Sequence, residues 1–210
     1  MKKIIFVFLL CLILININVK GSLYLSGKYI IIDPGHGSKD NGTSYNNILE
    51  KDLNLSISKI LEQELIKNGA STNLVREEDY DLSSPNAKRR KRSDFNNRID
   101  FINKSNADIY LSIHINYLEN NKYSGSQVFY YGDSNKELAN TIQMYLNKIN
   151  TPRSIKEMPN VYMYNKLNIK GVLIECGFIS NINDRNNLIN KDYQQLLAKT
   201  ITDALIDYFT

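Results

Sequence analysis

Histidine and cysteine are scarce in this chain of 210 residues, which holds two of each. Cys11 falls in an N-terminal apolar run, so Cys176 stands alone beyond it and an intramolecular disulfide is excluded. His36 and His114 are the only imidazoles, and any metal site built on them must complete itself with carboxylates. A large excess of one charge is also missing. The formal net charge is +4, but removing Lys2, Lys3 and Lys20 from the 26 basic residues leaves 23 against 22 acidic ones, near +1. A nearly neutral chain does not suit nucleic acid as a partner. Nor is there a long apolar run. Ile4 to Val19 is broken by Asn16 and Asn18 and falls short of the roughly 20 residues that a membrane-spanning helix needs. Behind Lys2 and Lys3 it reads as an export signal over residues 1–21, either cleaved or kept as a membrane tether. The remaining chain, about 185 residues, is enough for one sizeable core and too short for two ordinary domains.

The pattern beyond the signal predicts one α/β domain over residues 27–210. Lys28-Tyr-Ile-Ile-Ile-Asp33 is an unalternating β-branched run stopped by Pro34-Gly35, as expected of a strand buried on both faces. Residues 48–68 carry Leu53, Ile57, Ile60, Leu61 and Leu65 at helical spacing before Gly69. Strand runs follow over 72–75, 107–115, 126–131 and 171–176, with helices ending near Lys104, over 134–149 and over 191–209. Residues 80–93 and 151–167 read as irregular. Strands and helices interleave without a repeat or linker, which predicts a single three-layer domain with a mostly parallel twisted sheet flanked by helices.

In open sheets of this kind ligands bind beyond the carboxyl ends of the strands. Three polar clusters fall there: Asp33-Pro-Gly-His36-Gly, Ser112-Ile-His114-Ile-Asn116 and Leu173-Ile-Glu175-Cys-Gly177. Taken singly, His36 after Pro-Gly suits a turn, and His114 between Ile113 and Ile115 suits a satisfied core histidine. Together at strand ends, two histidines and a carboxylate can hold zinc with one position open. Asp40, Glu50 and Asp52 all compete for the carboxylate position. Glu175 follows a buried apolar run, where a carboxylate is costly without a partner or a function.

At these residues the sequence resembles the zinc-dependent N-acetylmuramoyl-L-alanine amidases of the amidase 3 family. The resemblance rests on Ile32-Asp-Pro-Gly-His-Gly37, Glu50-Lys-Asp-Leu-Asn-Leu55, Ala107-Asp-Ile-Tyr-Leu-Ser-Ile-His-Ile-Asn116 and Leu173-Ile-Glu-Cys-Gly-Phe-Ile-Ser-Asn181, in the family's order and spacing. It implies that His36, Glu50 and His114 bind Zn2+ and that Glu175 is the catalytic glutamate. Arg98 and Asn116, with Arg76, match recurrent positions that support the site or contact substrate. The implied reaction is hydrolysis of the amide joining the muramic acid lactyl group to L-alanine of the peptidoglycan stem peptide. Within the family the chain is similar to the sporulation-specific, CwlD-type members that trim spore cortex on the way to muramic δ-lactam. The implied location is outside the cytoplasmic membrane, on the cell-wall side. With no separate wall-binding domain, delivery to substrate falls to the N-terminal tether or to an accessory partner such as a lipoprotein.

Two features favour other readings. Cys176 could be the nucleophile of a cysteine hydrolase, but alternation in a strand turns it away from the side Glu175 faces. The run Lys88-Arg-Arg-Lys-Arg92 is either a solvated loop or a surface that docks on anionic polymers or lipid without catalysis.

Overall fold

Tyr29-Ile-Ile-Ile-Asp-Pro34 forms strand β1, buried from Ile30 onward. A run without polar alternation must be covered on both faces, and two helical layers cover it here. The computed structural model describes residues 23–210, so the export signal expected over 1–21 lies outside it. The other strands of the central sheet are β4 (Ser71–Leu74), β5 (Ile109–Asn116), β6 (Gln127–Tyr130), β7 (Lys156–Glu157) and β8 (Gly171–Phe178). Their order is β4-β1-β5-β8-β6-β7. The β4, β1, β5 and β8 strands run parallel, β6 pairs antiparallel with β8, and β7 pairs parallel with β6.

Among the described residues five helices flank this sheet: α1 (Glu50–Lys67), α2 (Arg90–Lys104), α3 (Lys136–Leu146), α4 (Ile182–Ile189) and α5 (Lys191–Phe209). Alternate strand residues serve two cores. Ile30, Ile32, Leu111, Ile113, Val172 and Ile174 pack with Leu61 of α1, Ile142 of α3 and Ile201 of α5. Ile31, Tyr110 and Leu173 pack on the other side with Ile99 and Ile102 of α2 and with Met163 and Tyr164. Each fully buried Leu or Ile is worth roughly 1.5–3 kcal/mol. Without a disulfide, these two apolar layers hold the fold. The predicted three-layer α/β domain is the one observed.

Several boundaries differ from the sequence expectation. Helix α1 starts at Glu50 because β3 (Ile48–Leu49) pairs with β2 (Ser44–Tyr45) in a small hairpin. Asn46 and Asn47 form its tip with φ of 48° and 63°, a region that asparagine tolerates better than most residues. Helix α2 starts at Arg90, so the basic run enters a helix instead of staying in a loop. Helix α4 was not expected; the Asn181 side chain caps it by accepting from the Asn183 and Asp184 amides. The stretch 151–167 adds β7 and a 3-10 turn over Tyr164–Lys166. Strand β8 continues to Phe178 through a register shift against β5 between His114 and Asn116. The central sheet therefore has six strands where five were expected.

Candidate active site

The carboxyl ends of β1, β5 and β8 lie side by side, and their register places the polar residues together. Asp33 pairs with Ser112, and His114 pairs with Glu175. Beyond β1 the chain turns sharply through Gly35, His36 and Gly37. His36 has a φ of 64°, a left-handed conformation that costs a non-glycine residue roughly 1–2 kcal/mol. The surroundings impose it. Arg98 donates from Nη2 to the His36 carbonyl at 2.6 Å, and Arg76 donates to the Pro34 and Gly35 carbonyls at 3.0 Å each. Lys51 Nζ reaches the Ser38 carbonyl at 2.8 Å. Gly35 must lack a side chain because a Cβ there would land on the His114 ring.

Glu50, the first residue of α1, closes the cluster. Its Oε1 lies 3.2 Å from His36 Nε2 and 3.0 Å from His114 Nδ1. The Ile115 amide donates to Oε1 at 3.2 Å, and the Thr43 amide donates to Oε2 at 2.7 Å. Gly42, with φ of +64°, gives this carboxylate room. The competing carboxylates separate clearly. Asp40 Oδ1 sits 3.1 Å from the other ring nitrogen of His36, Nδ1, where it can orient the ring, and Asp52 is exposed. Burial alone would lower the pKa of His36, but Asp40 and Glu50 outweigh it and raise it to about 9. Burial would raise Glu50, and the two imidazoles more than offset it, holding its carboxyl well below the usual range.

The ligand atoms of His36, Glu50 and His114 all lie within 4.8 Å of one another, and they form the one such group among the described residues. Two imidazole nitrogens and a carboxylate oxygen suit zinc, and both histidines point a nitrogen at the same Glu50 oxygen. The residues present fit a metal of this kind.

Glu175 borders the same cleft, and its Oε2 is buried with no hydrogen-bond partner. Burial, reinforced by repulsion from Glu50 and only partly offset by His36, pushes its pKa up to about 8. Cys176 turns to the opposite face and joins the apolar core, where burial pushes its thiol up further, so the nucleophile reading has no support in the geometry. The cleft has a volume of about 320 Å3, within the range of small-ligand pockets. Phe95, Phe129, Val161, Met163 and Leu173 make one wall apolar.

Arg98 lines this cleft but is 2% exposed, and it spends its donors on protein. It reaches Asp33 at 2.5 Å, Asp94 at 3.0 Å and the Pro34 carbonyl at 3.0 Å, besides the His36 carbonyl. Arg76 is likewise enclosed. Asn116 ends β5 at the rim, outside the residues that line the cleft, and its carbonyl accepts the Ile179 amide. Asp33 holds the turn through Arg98 and accepts the Ser112 hydroxyl at 3.0 Å. Tyr164 had no sequence signal, since it sits in a non-periodic stretch. Its hydroxyl lies 3.2 Å from Ser112 Oγ and 3.5 Å from His114 Nε2, the ring nitrogen turned away from Glu50.

Comparison with known proteins agrees with this arrangement. The profile of the N-acetylmuramoyl-L-alanine amidases of the amidase 3 family matches residues 30–207. The germination-specific N-acetylmuramoyl-L-alanine amidase of Bacillus subtilis is 39% identical over 196 residues, covering 90% of this chain and 83% of that one. LytH of Staphylococcus aureus, described as a probable cell wall amidase, is 32% identical over 199 residues; the match covers 92% of this chain and 62% of that longer protein. The CwlD amidase of Clostridioides difficile, solved in complex with the GerS lipoprotein, superposes with a TM-score of 0.81 at 36% identity over 86% of this chain and 98% of that one. The chain belongs to the amidase 3 family of N-acetylmuramoyl-L-alanine amidases.

Proposed function

We propose that this chain hydrolyses the amide between the muramic acid lactyl group and L-alanine of the stem peptide, using Zn2+ held by His36, Glu50 and His114. The observation that carries the reading is Glu175 Oε2, buried and without a partner beside three convergent ligand atoms. An isolated carboxyl in such a place destabilises the fold and is retained where chemistry needs it. Zinc supplies Lewis acidity there, both for the scissile carbonyl and for the attacking water. Glu175 takes the proton from that water and hands it to the departing alanine nitrogen. Burial raises its pKa to about 8, so both its ionised and its protonated forms are accessible near neutral pH, as a group that first accepts and then donates a proton requires. Asp40 holds the His36 ring from its far nitrogen. Arg98 lines the cleft and fixes the His36 turn, while Asn116 meets the substrate at the rim.

The similarity to a germination-specific amidase and to CwlD supports spore cortex as the substrate, on the route to muramic δ-lactam. In this reading the chain works on the cell-wall side of the membrane, delivered by the segment over residues 1–21 as signal or tether. A lipoprotein partner is in keeping with the complex known for the C. difficile protein. The test is digestion of purified cortex and vegetative peptidoglycan, with and without a chelator, followed by mass spectrometry. New free lactyl groups and free N-terminal alanine, abolished by the chelator and restored by zinc, are expected. Cleavage that survives complete removal of metal would overturn the zinc assignment.

A further inference from the structure

The run Lys88-Arg-Arg-Lys-Arg92 takes no part in the chemistry described so far, yet it stands at the mouth of the cleft. Lys91 Nζ lies 3.6 Å from Asp40 Oδ2 and 5.8 Å from the centre of the Phe95 ring, and both residues line the cleft. Arg92 stacks its guanidinium 3.0 Å from the centre of the Tyr162 ring, between the lining residues Val161 and Met163. Lys166 approaches the same ring at 5.1 Å. The run thus bridges the loop that carries His36 and the apolar wall opposite.

Its charge is mostly uncompensated. Arg90 pairs with Asp81, and Lys91 shares an Asp40 that already engages His36. Lys88, Arg89 and Arg92 are exposed and meet no carboxylate among the described residues. In a domain whose net charge is near +1, this mouth is a concentrated positive patch. The first turn of α2 contains no acidic residue, although acids there would stabilise the helix and cations oppose its dipole. A local stability rule is broken beside the candidate active site, a place where such departures serve function.

We infer that this patch is the subsite for the free carboxylates of the stem peptide, on the leaving-group side of the scissile amide. The inference rests on the amidase reading above. Reach supports it: a peptide residue spans about 3.5 Å, so acidic groups on the second and third stem residues lie roughly 7–10 Å from the scissile nitrogen. Two contacts, Lys91 to Asp40 at 3.6 Å and Asp40 to His36 at 3.1 Å, keep the Lys91 ammonium within roughly 11 Å of the metal-facing nitrogen of His36. Carboxylates of the substrate are concentrated on the peptide side, and the apolar wall suits the methyl groups near the scissile bond. A surface for anionic lipid would have no need of contacts with the His36 loop and the cleft wall.

The test uses the zinc-loaded full chain and two synthetic muramoyl-tripeptides, one with free stem carboxylates and one with those groups amidated. The wild-type protein is expected to favour the free form by about tenfold in kcat/KM at low salt, with the preference shrinking as salt is added. The quadruple variant Lys88→Ala/Arg89→Ala/Lys91→Ala/Arg92→Ala should bring that ratio close to one, through KM. Both substrates report on the same folded molecules, so the ratio is immune to partial misfolding. An unchanged preference in the variant overturns the inference. So does a variant that keeps the preference but loses binding to phosphatidylglycerol vesicles, which would make the patch a lipid dock. If wild type cuts neither substrate, the amidase reading fails and takes the inference with it.

Discussion

Glu175 stands directly opposite His114 in the ladder between β5 and β8. One parallel strand pair therefore holds a candidate metal ligand and the candidate base side by side, and backbone hydrogen bonds set their separation. Replacing one carboxyl oxygen by an amide nitrogen leaves that frame intact and removes only the proton acceptor. Glu175→Gln is expected to keep wild-type metal content and to lose activity by roughly 10²–10⁴-fold. Metal analysis and turnover of the same preparation check this. A variant with near-normal turnover would dismiss Glu175 as the base.

The same substitution should raise the stability of the metal-free protein, with a definite pH dependence. In the fold, burial lifts Glu175 to about 8 from an ordinary value of 4.5. The unfolded chain therefore releases this proton first as pH rises, and the native state loses stability between about 4.5 and 8. Below that window the carboxyl is neutral in both states and costs nothing. Glu175→Gln escapes the loss, so the Tm difference between variant and wild type should widen from pH 5 to pH 8, reaching a few degrees, about 5 °C. Thermal unfolding of chelated samples measures it. A constant difference across that range would show that Glu175 does not carry the strain.

What was legible in the sequence divides along physical lines. β1 could be read because an unalternating β-branched run has few other uses, and β5 because Leu111, Ile113 and Ile115 alternate with Ser112, His114 and Asn116; His36 follows β1, while His114 and Glu175 lie near the ends of β5 and β8. Glu50 could not be separated from Asp40 and Asp52 by spacing alone. The choice depends on a hairpin tip of two asparagines that delays the helix to Glu50, and only the family resemblance anticipated it. Tyr164 was invisible because its position comes from packing of an irregular stretch against β5, with no periodicity to reveal it. Arg98 was found as a residue, but its engagement with two aspartates and two carbonyls is a property of the assembled core.

That engagement makes Arg98 a sensitive point for stability. Asp33 and Asp94 are buried, at 1% and 6% exposure, and Arg98 is their shared cation. Arg98→Met would leave both carboxylates without it, and breaking a buried pair in this way costs about 3–5 kcal/mol. Denaturant unfolding should show a loss of that order. The double variant Arg98→Met/Asp33→Asn should recover part of it, since one stranded charge is gone. A loss below about 1 kcal/mol would mean that water replaces the guanidinium at little cost.

Gly42 offers a test of the candidate metal site that separates backbone strain from ligand displacement. It has a φ of +64°, and a Cβ built there would overlap Glu50 Oε2 and the His36 ring. Gly42→Ala therefore carries two penalties: a left-handed alanine, costing roughly 1–2 kcal/mol, and a push against two residues that converge on the same oxygen. Gly27 isolates the first penalty, because it has a φ of +78° with nothing within 4 Å of its built Cβ. Both alanine variants should lose similar stability as metal-free proteins. Only Gly42→Ala should weaken zinc binding, by about 10–100-fold, the range seen when support of a metal ligand is disturbed. Competition with a colorimetric chelator measures the affinities. Equal zinc binding by the two variants would show that the Glu50 and His36 side chains move aside without losing their convergence, and would detach Gly42 from the site.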